Sequence, residues 1–261
     1  MGKIPSFDEK TSRRIESVYS TTDIVNQRRK LLNLLSPMKG EKILDLGSGP
    51  GFLTMEIAEL VGNESHIVAV DNSPSMLELA QKRCSTLPFI TFQEADAVSL
   101  PFSDSEFDAV VVSQVYEYVP EIKVALSELF RVLKPGGRAL IMDTDWDSLV
   151  WNAKDKDGAN KIFKVWDKHL FDPNLPSKLR PMSIKEGFKI YDVQIHPILN
   201  LDYVEDSYSF CMISVIVPFV INVNEELRQT AKDWAEDLKE LGQEGSYFFS
   251  LNRYVFCLEK P

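Results

Sequence analysis

Between Lys42 and Asp147 short apolar runs alternate with amphipathic stretches, and this alternation constrains the fold more than any other feature of the chain. Parallel strands buried on both faces read as near-continuous apolar segments, and the helices that cross between them carry a 3.6-residue period. The pattern predicts strands one to five over Lys42–Leu46, His66–Asp71, Phe89–Gln93, Phe107–Ser113 and Arg138–Thr144, each rich in β-branched residues. Helices are expected over Leu53–Val61, Ser75–Cys84 and Ile122–Leu133. Ser73-Pro74 supplies an N-cap and a first-turn proline for the second helix, and Lys134-Pro135-Gly136-Gly137 stops the third.

Outside this stretch the alternation loosens. Thr11 to Leu35 reads as one or two helices, with Leu31, Leu32, Leu34 and Leu35 facing the sheet. Beyond strand five, Trp151–Phe171 and Leu179–Gly187 read as helices and Ile190–His196 as a sixth strand. Tyr203–Leu241 reads as a helical region, and the aromatic and β-branched Tyr247–Leu258 as a closing strand. The expected class is α/β, a seven-stranded mostly parallel sheet with flanking helices and a helical C-terminal insertion long enough to form a lid.

Composition narrows the function classes. With 44% hydrophobic and 26% charged residues, the 261-residue chain has what a folded core needs, and disorder as the main state is excluded. Lys+Arg 29 against Asp+Glu 39 gives a net charge of -10, which opposes a nucleic-acid backbone. Cys84, Cys211 and Cys257 are odd in number and far apart, which argues for a reducing, cytoplasmic setting. No run reaches the ~18 consecutive apolar residues of a membrane helix, and the charged N-terminus lacks an apolar leader segment.

The chemistry concentrates at the end of strand one. Gly47-Ser48-Gly49-Pro50-Gly51 is a glycine-rich turn at the carboxyl end of a parallel strand, where backbone can approach a ligand unobstructed. Its G-x-G-x-G spacing differs from the G-x-G-x-x-G of a pyrophosphate loop, and Asp45 places a carboxylate beside it. A cationic sulfonium with an ammonium group, as in S-adenosylmethionine, suits that charge better than an anionic dinucleotide. Asp71 closes strand two 20 positions after Gly51, where an acid accepts hydrogen bonds from ribose hydroxyls. The bland alternative is a tight strand-to-helix turn; loop, following helix and acid together weigh against it.

These residues lie in blocks that resemble the class I S-adenosylmethionine-dependent methyltransferases, in particular the ubiquinone/menaquinone-type small-molecule branch. ILDLGSGPGFLT is similar to that family's first motif, VAVDNSPSML to its second, EADAVSLPFSDSEFDAVVVSQVYEYV to its third and fourth, and LFRVLKPGGRALIMDTDW to its fifth. The resemblance implies a Rossmann-like fold and S-adenosylmethionine as cofactor. It implies that Gly47, Ser48, Gly49 and Gly51 hold the methionine part and adenosine, that Asp45 supports the ammonium group, and that Asp71 takes both ribose hydroxyls. Asn72 and Met76 would line the adenine, Asp96 would accept from its amino group beside Ala97, and Ser113 and Gln114 would sit near the methionine chain. Tyr19, Gln27 and Arg28 match the helix that covers the cofactor in related enzymes. One domain is expected over 1–261: a helical cap (1–41), the cofactor-binding core (42–147), insertions and strand six forming an acceptor pocket (148–246), and the closing strand (247–261).

Methyl transfer is an in-line displacement at an activated carbon, so alignment and water exclusion are the main tasks, and no metal is obligatory. A base is needed only for an acceptor that must lose a proton. Of Tyr116, Glu117, Tyr118, Asp145, Trp146 and Asp147, which follow strands four and five, Tyr116 and Asp145 are the candidates for that role. Asp143, Asp145 and Asp147 alternate and would share one side of a continued strand, but three such acids more often cap a strand than bind a cation, and no metal is assigned. The aromatic residues of the insertions suit a small phenol- or quinone-like, otherwise hydrophobic, or amine acceptor. Alternatives are a non-catalytic S-adenosylmethionine-binding protein, an arsenic methyltransferase using the cysteines, and a nicotinamide oxidoreductase. The sequence leaves the oligomeric state open, a homodimer included.

Overall fold

The computed structural model describes residues 16–261, and the part of the expected N-terminal helical segment before Glu16 lies outside the described residues. Strands β1 (Lys42–Leu46), β2 (His66–Asp71), β3 (Ile90–Glu94), β4 (Phe107–Ser113), β5 (Leu133–Trp151), β6 (Lys189–Asn200) and β7 (Phe249–Glu259) form one sheet in the order β3-β2-β1-β4-β5-β7-β6. β1 pairs in parallel with β2 and β4, β2 with β3, and β4 with β5. The order runs outward from β1 through β2 to β3 and then resumes at β4 on the other side. A ligand crevice forms where such an order reverses, at the carboxyl ends of the strands. Chain contacts group the protein into two compact units.

The first unit comprises Arg28–Thr144, Asn174–His196 and Arg253–Pro261. Successive strand residues point to opposite faces, which sorts its core into two layers. Ile43, Ile67, Ala69 and Val111 pack with Leu31 and Leu35 of helix α1 (Thr22–Leu35) and with Leu53 and Ile57 of α2 (Phe52–Val61). Leu44, Leu46, Val68 and Val110 pack with Leu126 and Leu129 of α4 (Ile122–Val132) and Leu179 of α6 (Pro176–Glu186). Between β2 and β3, α3 (Pro74–Arg83) starts at its proline with Ser73 in extended conformation, as the sequence predicts.

The second unit comprises the described residues up to Gln27, with Asp145–Pro173 and Pro197–Asn252. It carries α5 (Lys156–Trp166), α7 (Tyr208–Val223) and α8 (Arg228–Gln243). Asp155 caps α5 by accepting from the Gly158 N–H at 3.0 Å, and Ser207 caps α7 through Phe210. Its core is aromatic: Trp151 meets Trp234 and Phe249 edge to face at centroid distances of 5.0 and 4.7 Å, and Trp146 meets Trp166 at 5.8 Å. Each such pair adds about 0.5–1.5 kcal/mol beyond its buried area. No helix among the described residues is long and apolar enough to cross a membrane.

Several boundaries differ from expectation; β5 spans Leu133–Trp151, running through the expected stop at 134–137 and well past the expected Arg138–Thr144, and two others have identifiable reasons. The helix expected from Trp151 begins only at Lys156, because β5 continues through Trp151, Asn152 is engaged with Phe248 and Ser246, and Asp155 caps the helix. The expected helical region from Tyr203 is two helices joined by a 3₁₀ turn at Glu225–Leu227, and α7 runs through Pro218 despite the hydrogen bond that a proline cannot make.

Candidate functional site

The glycine loop is folded back on β2 before any ligand arrives. Gly47 and Ser48 both donate backbone N–H to the Val70 carbonyl, at 2.7 and 2.8 Å. Gly47, Gly49 and Gly51 have φ of 76°, 51° and 81°, left-handed values that side-chain-bearing residues adopt at a cost. At Gly51 a Cβ would lie 2.8 Å from the Ala80 Cα, so glycine here also permits α2 and α3 to pack. At Gly47 it would lie 2.1 Å from Val115 Cγ2, so the segment after β4 presses directly on the loop.

Asp71 joins loop and strand. Its Oδ2 accepts from the Gly49 N–H and its Oδ1 from the Ser73 N–H, both at 2.9 Å. A carboxylate offers about four lone-pair sites, so two hydrogen bonds leave capacity for a pair of ligand hydroxyls. Burial raises the Asp71 pKa above its ordinary value against the pull of those backbone bonds. Beneath the loop Asp45, on the same strand face as Ile43, is buried and accepts from the Thr54 hydroxyl at 2.6 Å. Burial pushes its pKa up to about 7, the Thr54 bond opposes this, and the Asp71 charge adds to it. Two carboxylates close enough for the charge of one to raise the pKa of the other favour positive ligand charge beside them. Ser48 Oγ is buried without a hydrogen-bond partner, a further polar atom a bound ligand could satisfy.

The other residues expected at the cofactor fall out as follows. Gln114 takes a φ of 58°, donates its N–H to the Met142 carbonyl at 2.7 Å and accepts from Thr144 Oγ1 at 2.6 Å; Ser113 pairs with Met142 in the ladder. Asn72 is exposed and Met76 buried at the start of α3. Asp96 is exposed and holds its own turn through the Val98 N–H at 3.1 Å, with Ala97 buried behind it. Arg28 is buried, donates to Glu56 at 2.8 Å and lies 4.9 Å above the Phe52 ring, bracing α1 on α2. Tyr19 and Gln27 belong to the second unit, where Tyr19 packs on its aromatic core and Gln27 is buried.

Tyr116 is a correction. It is fully buried in the layer against α4, its hydroxyl donating to the Ala125 carbonyl at 3.4 Å, and burial together with the nearby Asp143 raises its pKa. A phenol held there is packing, not a base for an acceptor. We expect Tyr116→Phe to keep turnover within about twofold and to cost at most ~1.5 kcal/mol, the worth of one hydrogen bond; urea denaturation and initial rates check both.

Asp145 lies in the second unit, half-buried, its pKa raised by burial and by Asp147. His169, also there, stacks on Trp166 at 3.7 Å and bonds through Nδ1 to the Trp166 carbonyl; burial lowers its pKa to about 4 and keeps it neutral. Cys84 and Cys257 are buried in the first unit with pKa values pushed to about 11 by burial, and Cys211 is in the second, which gives thiol chemistry no support. Among the described residues no group of three or more His, Cys, Asp or Glu is arranged for a metal ion. Sequence reasoning missed Thr54, Val115, Thr144 and Arg253, whose importance rests on contacts that no local motif encodes.

Comparison with known proteins shows the family and the fold. The family described as a methyltransferase domain matches residues 37–187. The chain is 39% identical over 139 residues to the demethylmenaquinone methyltransferase of Clavibacter sepedonicus, covering 52% of this chain and 56% of that one. It is 30% identical over 206 residues to the ubiquinone/menaquinone biosynthesis C-methyltransferase of Vibrio campbellii, covering 73% and 76%. Its fold is similar to that of Haemonchus contortus phosphoethanolamine N-methyltransferase 2, solved with S-adenosyl-L-methionine, at a TM-score of 0.64 and 21% identity over 98% of this chain and 58% of that one. The chain spans about half the length of several curated relatives it matches, 50% of one and 56% of another.

Proposed function

This chain belongs to the methyltransferase-domain family, and from that premise we propose that it transfers the methyl group of S-adenosylmethionine to a small-molecule acceptor. The observation that carries the reading is the coupling of the glycine loop to Asp71 through the Gly49 N–H, with a second carboxylate, Asp45, beneath it. When bound, S-adenosylmethionine supplies a methyl on positively charged sulfur, open to in-line displacement. The chain's own part is to bind and orient. Asp71 accepts the ribose hydroxyls, Ser48 Oγ bonds a polar atom of the ligand, and Asp45, buried beneath the loop, offsets the ligand's positive charge. Asn72, Met76, Asp96 and Ala97 serve the adenine side, and Ser113 and Gln114 the methionine side.

A phenol- or quinol-like acceptor fits best, a reading supported by the relatives named for quinone biosynthesis. An acceptor of that kind must lose a proton, and Asp145, with its raised pKa, is the base we assign. Buried unpaired cysteines support a cytoplasmic setting. Light scattering would read the homodimer alternative.

Calorimetric titration tests the cofactor. We expect S-adenosylmethionine and S-adenosylhomocysteine to bind, and Asp71→Ala to weaken both about 100-fold, since it removes two charge-assisted hydrogen bonds of about 1.5 kcal/mol or more each. Tight NAD binding with no S-adenosylmethionine binding would put the nicotinamide reading in its place. Methyl transfer to a quinol but not to an amine would then fix the acceptor class.

A further inference from the structure

The segment after β4 is fastened by a side chain outside the expected site. Asp143, on β5, is completely buried. Its Oδ1 accepts the Val115 N–H at 3.1 Å and lies 3.5 Å from the Glu117 N–H, while its Oδ2 has no hydrogen-bond partner. Beside it Arg253 of β7, also buried, donates to Thr144 Oγ1 at 3.2 Å, and Thr144 donates in turn to Gln114 Oε1 at 2.6 Å. Three residues of this segment, Gln114, Val115 and Glu117, are thus held to β5, the last two through Asp143 and Gln114 in left-handed conformation. Val115, the residue Asp143 grips, is the one that presses on Gly47.

We propose that Asp143 is a positioning residue for cofactor binding, acting as a hydrogen-bond acceptor that clamps Val115 and Glu117 so that Val115 supports the glycine loop. The cofactor consequence rests on the methyltransferase reading. The role needs an oxygen that accepts, and it does not need a negative charge. Burial and the neighbouring Glu117 both raise the Asp143 pKa well above the usual carboxylate range, with the two backbone bonds and Arg253 opposing, which suits a group working uncharged. Tyr116 on the same segment is a further titratable neighbour.

The test compares Asp143→Ala with Asp143→Asn. Alanine removes the acceptor and leaves two buried N–H groups unpaired, whereas asparagine keeps an oxygen of the same reach. Expected for alanine are faster hydrogen exchange at the Val115 and Glu117 amides, about tenfold weaker S-adenosylmethionine binding, and a raised KM for S-adenosylmethionine with kcat within about threefold. Expected for asparagine is recovery of all three to near wild-type values. Asp143→Ser, with a shorter acceptor, replaces alanine if that variant does not fold. Unchanged exchange in the folded alanine or serine variant overturns the proposal, and so does an asparagine variant as impaired as alanine, which would make the charge the agent. Exchange behaving as expected in a protein that binds no S-adenosylmethionine upholds the clamp and overturns the methyltransferase reading.

Discussion

Replacing Gly47 with alanine is expected to destabilise the protein by about 3 kcal/mol and to remove measurable S-adenosylmethionine binding. Two costs combine at this position. A left-handed backbone, here φ 76°, costs an L-residue about 1–2 kcal/mol. The new methyl would also sit 2.1 Å from Val115 Cγ2 and 3.3 Å from Val115 Cβ. Valine is stiff at χ1, and the Gly47 N–H is fixed to the Val70 carbonyl, so neither partner yields freely, and overpacking of this kind costs about 1–3 kcal/mol. Gly40 is the internal control: its φ is 84° but a Cβ there meets nothing within 4 Å. Gly40→Ala should therefore cost only the backbone strain, and Val115→Ala should recover part of the Gly47→Ala loss in a double-mutant cycle. Urea denaturation of the wild type and the four variants decides it. A Gly47→Ala variant no less stable than Gly40→Ala would mean that the Val115 contact is not what reserves this position for glycine.

The parallel half of the sheet was legible because it is buried on both faces. β1, β2 and β4 span the residues that the apolar runs predict, and the glycine loop and Asp71 sit at the strand ends where topology puts a ligand. Legibility failed where a long-range contact overrides local pattern. Tyr116 reads as a residue projecting from the end of β4, yet Gln114 is left-handed and a 3₁₀ turn follows over Tyr116–Tyr118, which sends the ring into the core. Left-handed backbone at a non-glycine leaves no mark in a sequence. Asp143, Asp145 and Asp147 likewise read as three equivalent acids on one side of a strand. They have different fates: Asp143 is sealed against backbone N–H groups, Asp145 is half-buried and Asp147 is exposed. The partner of Arg253 lies 109 positions away in the chain, beyond any spacing argument.

The second large effect is a pH dependence centred on Asp45. Its pKa is about 7 in the folded protein against 3.8 without the fold, so between these values the native state holds a proton that the unfolded chain has released. Stability contributed by this group is therefore fully present below pH ~4, declines as pH rises, and is lost above about 7, a difference on the order of 4 kcal/mol. Asp71 and Asp143, also raised, tilt stability in the same direction, so the wild-type slope alone does not isolate Asp45. Asp45→Asn does: its amide oxygen can still accept from Thr54, and it does not ionise. The variant should match the wild type near pH 4 and exceed it by several kcal/mol at pH 8. Cofactor binding should show the reverse. A cationic ligand beside Asp45 lowers its pKa, so binding near pH 6 should release a proton, seen as a heat that varies with buffer ionisation enthalpy. That release should vanish in Asp45→Asn, whose affinity at pH 8 should fall. Parallel stability curves for the two proteins, or proton release unchanged in the variant, would remove Asp45 from both roles and leave Asp71 as the carboxylate that matters at the loop.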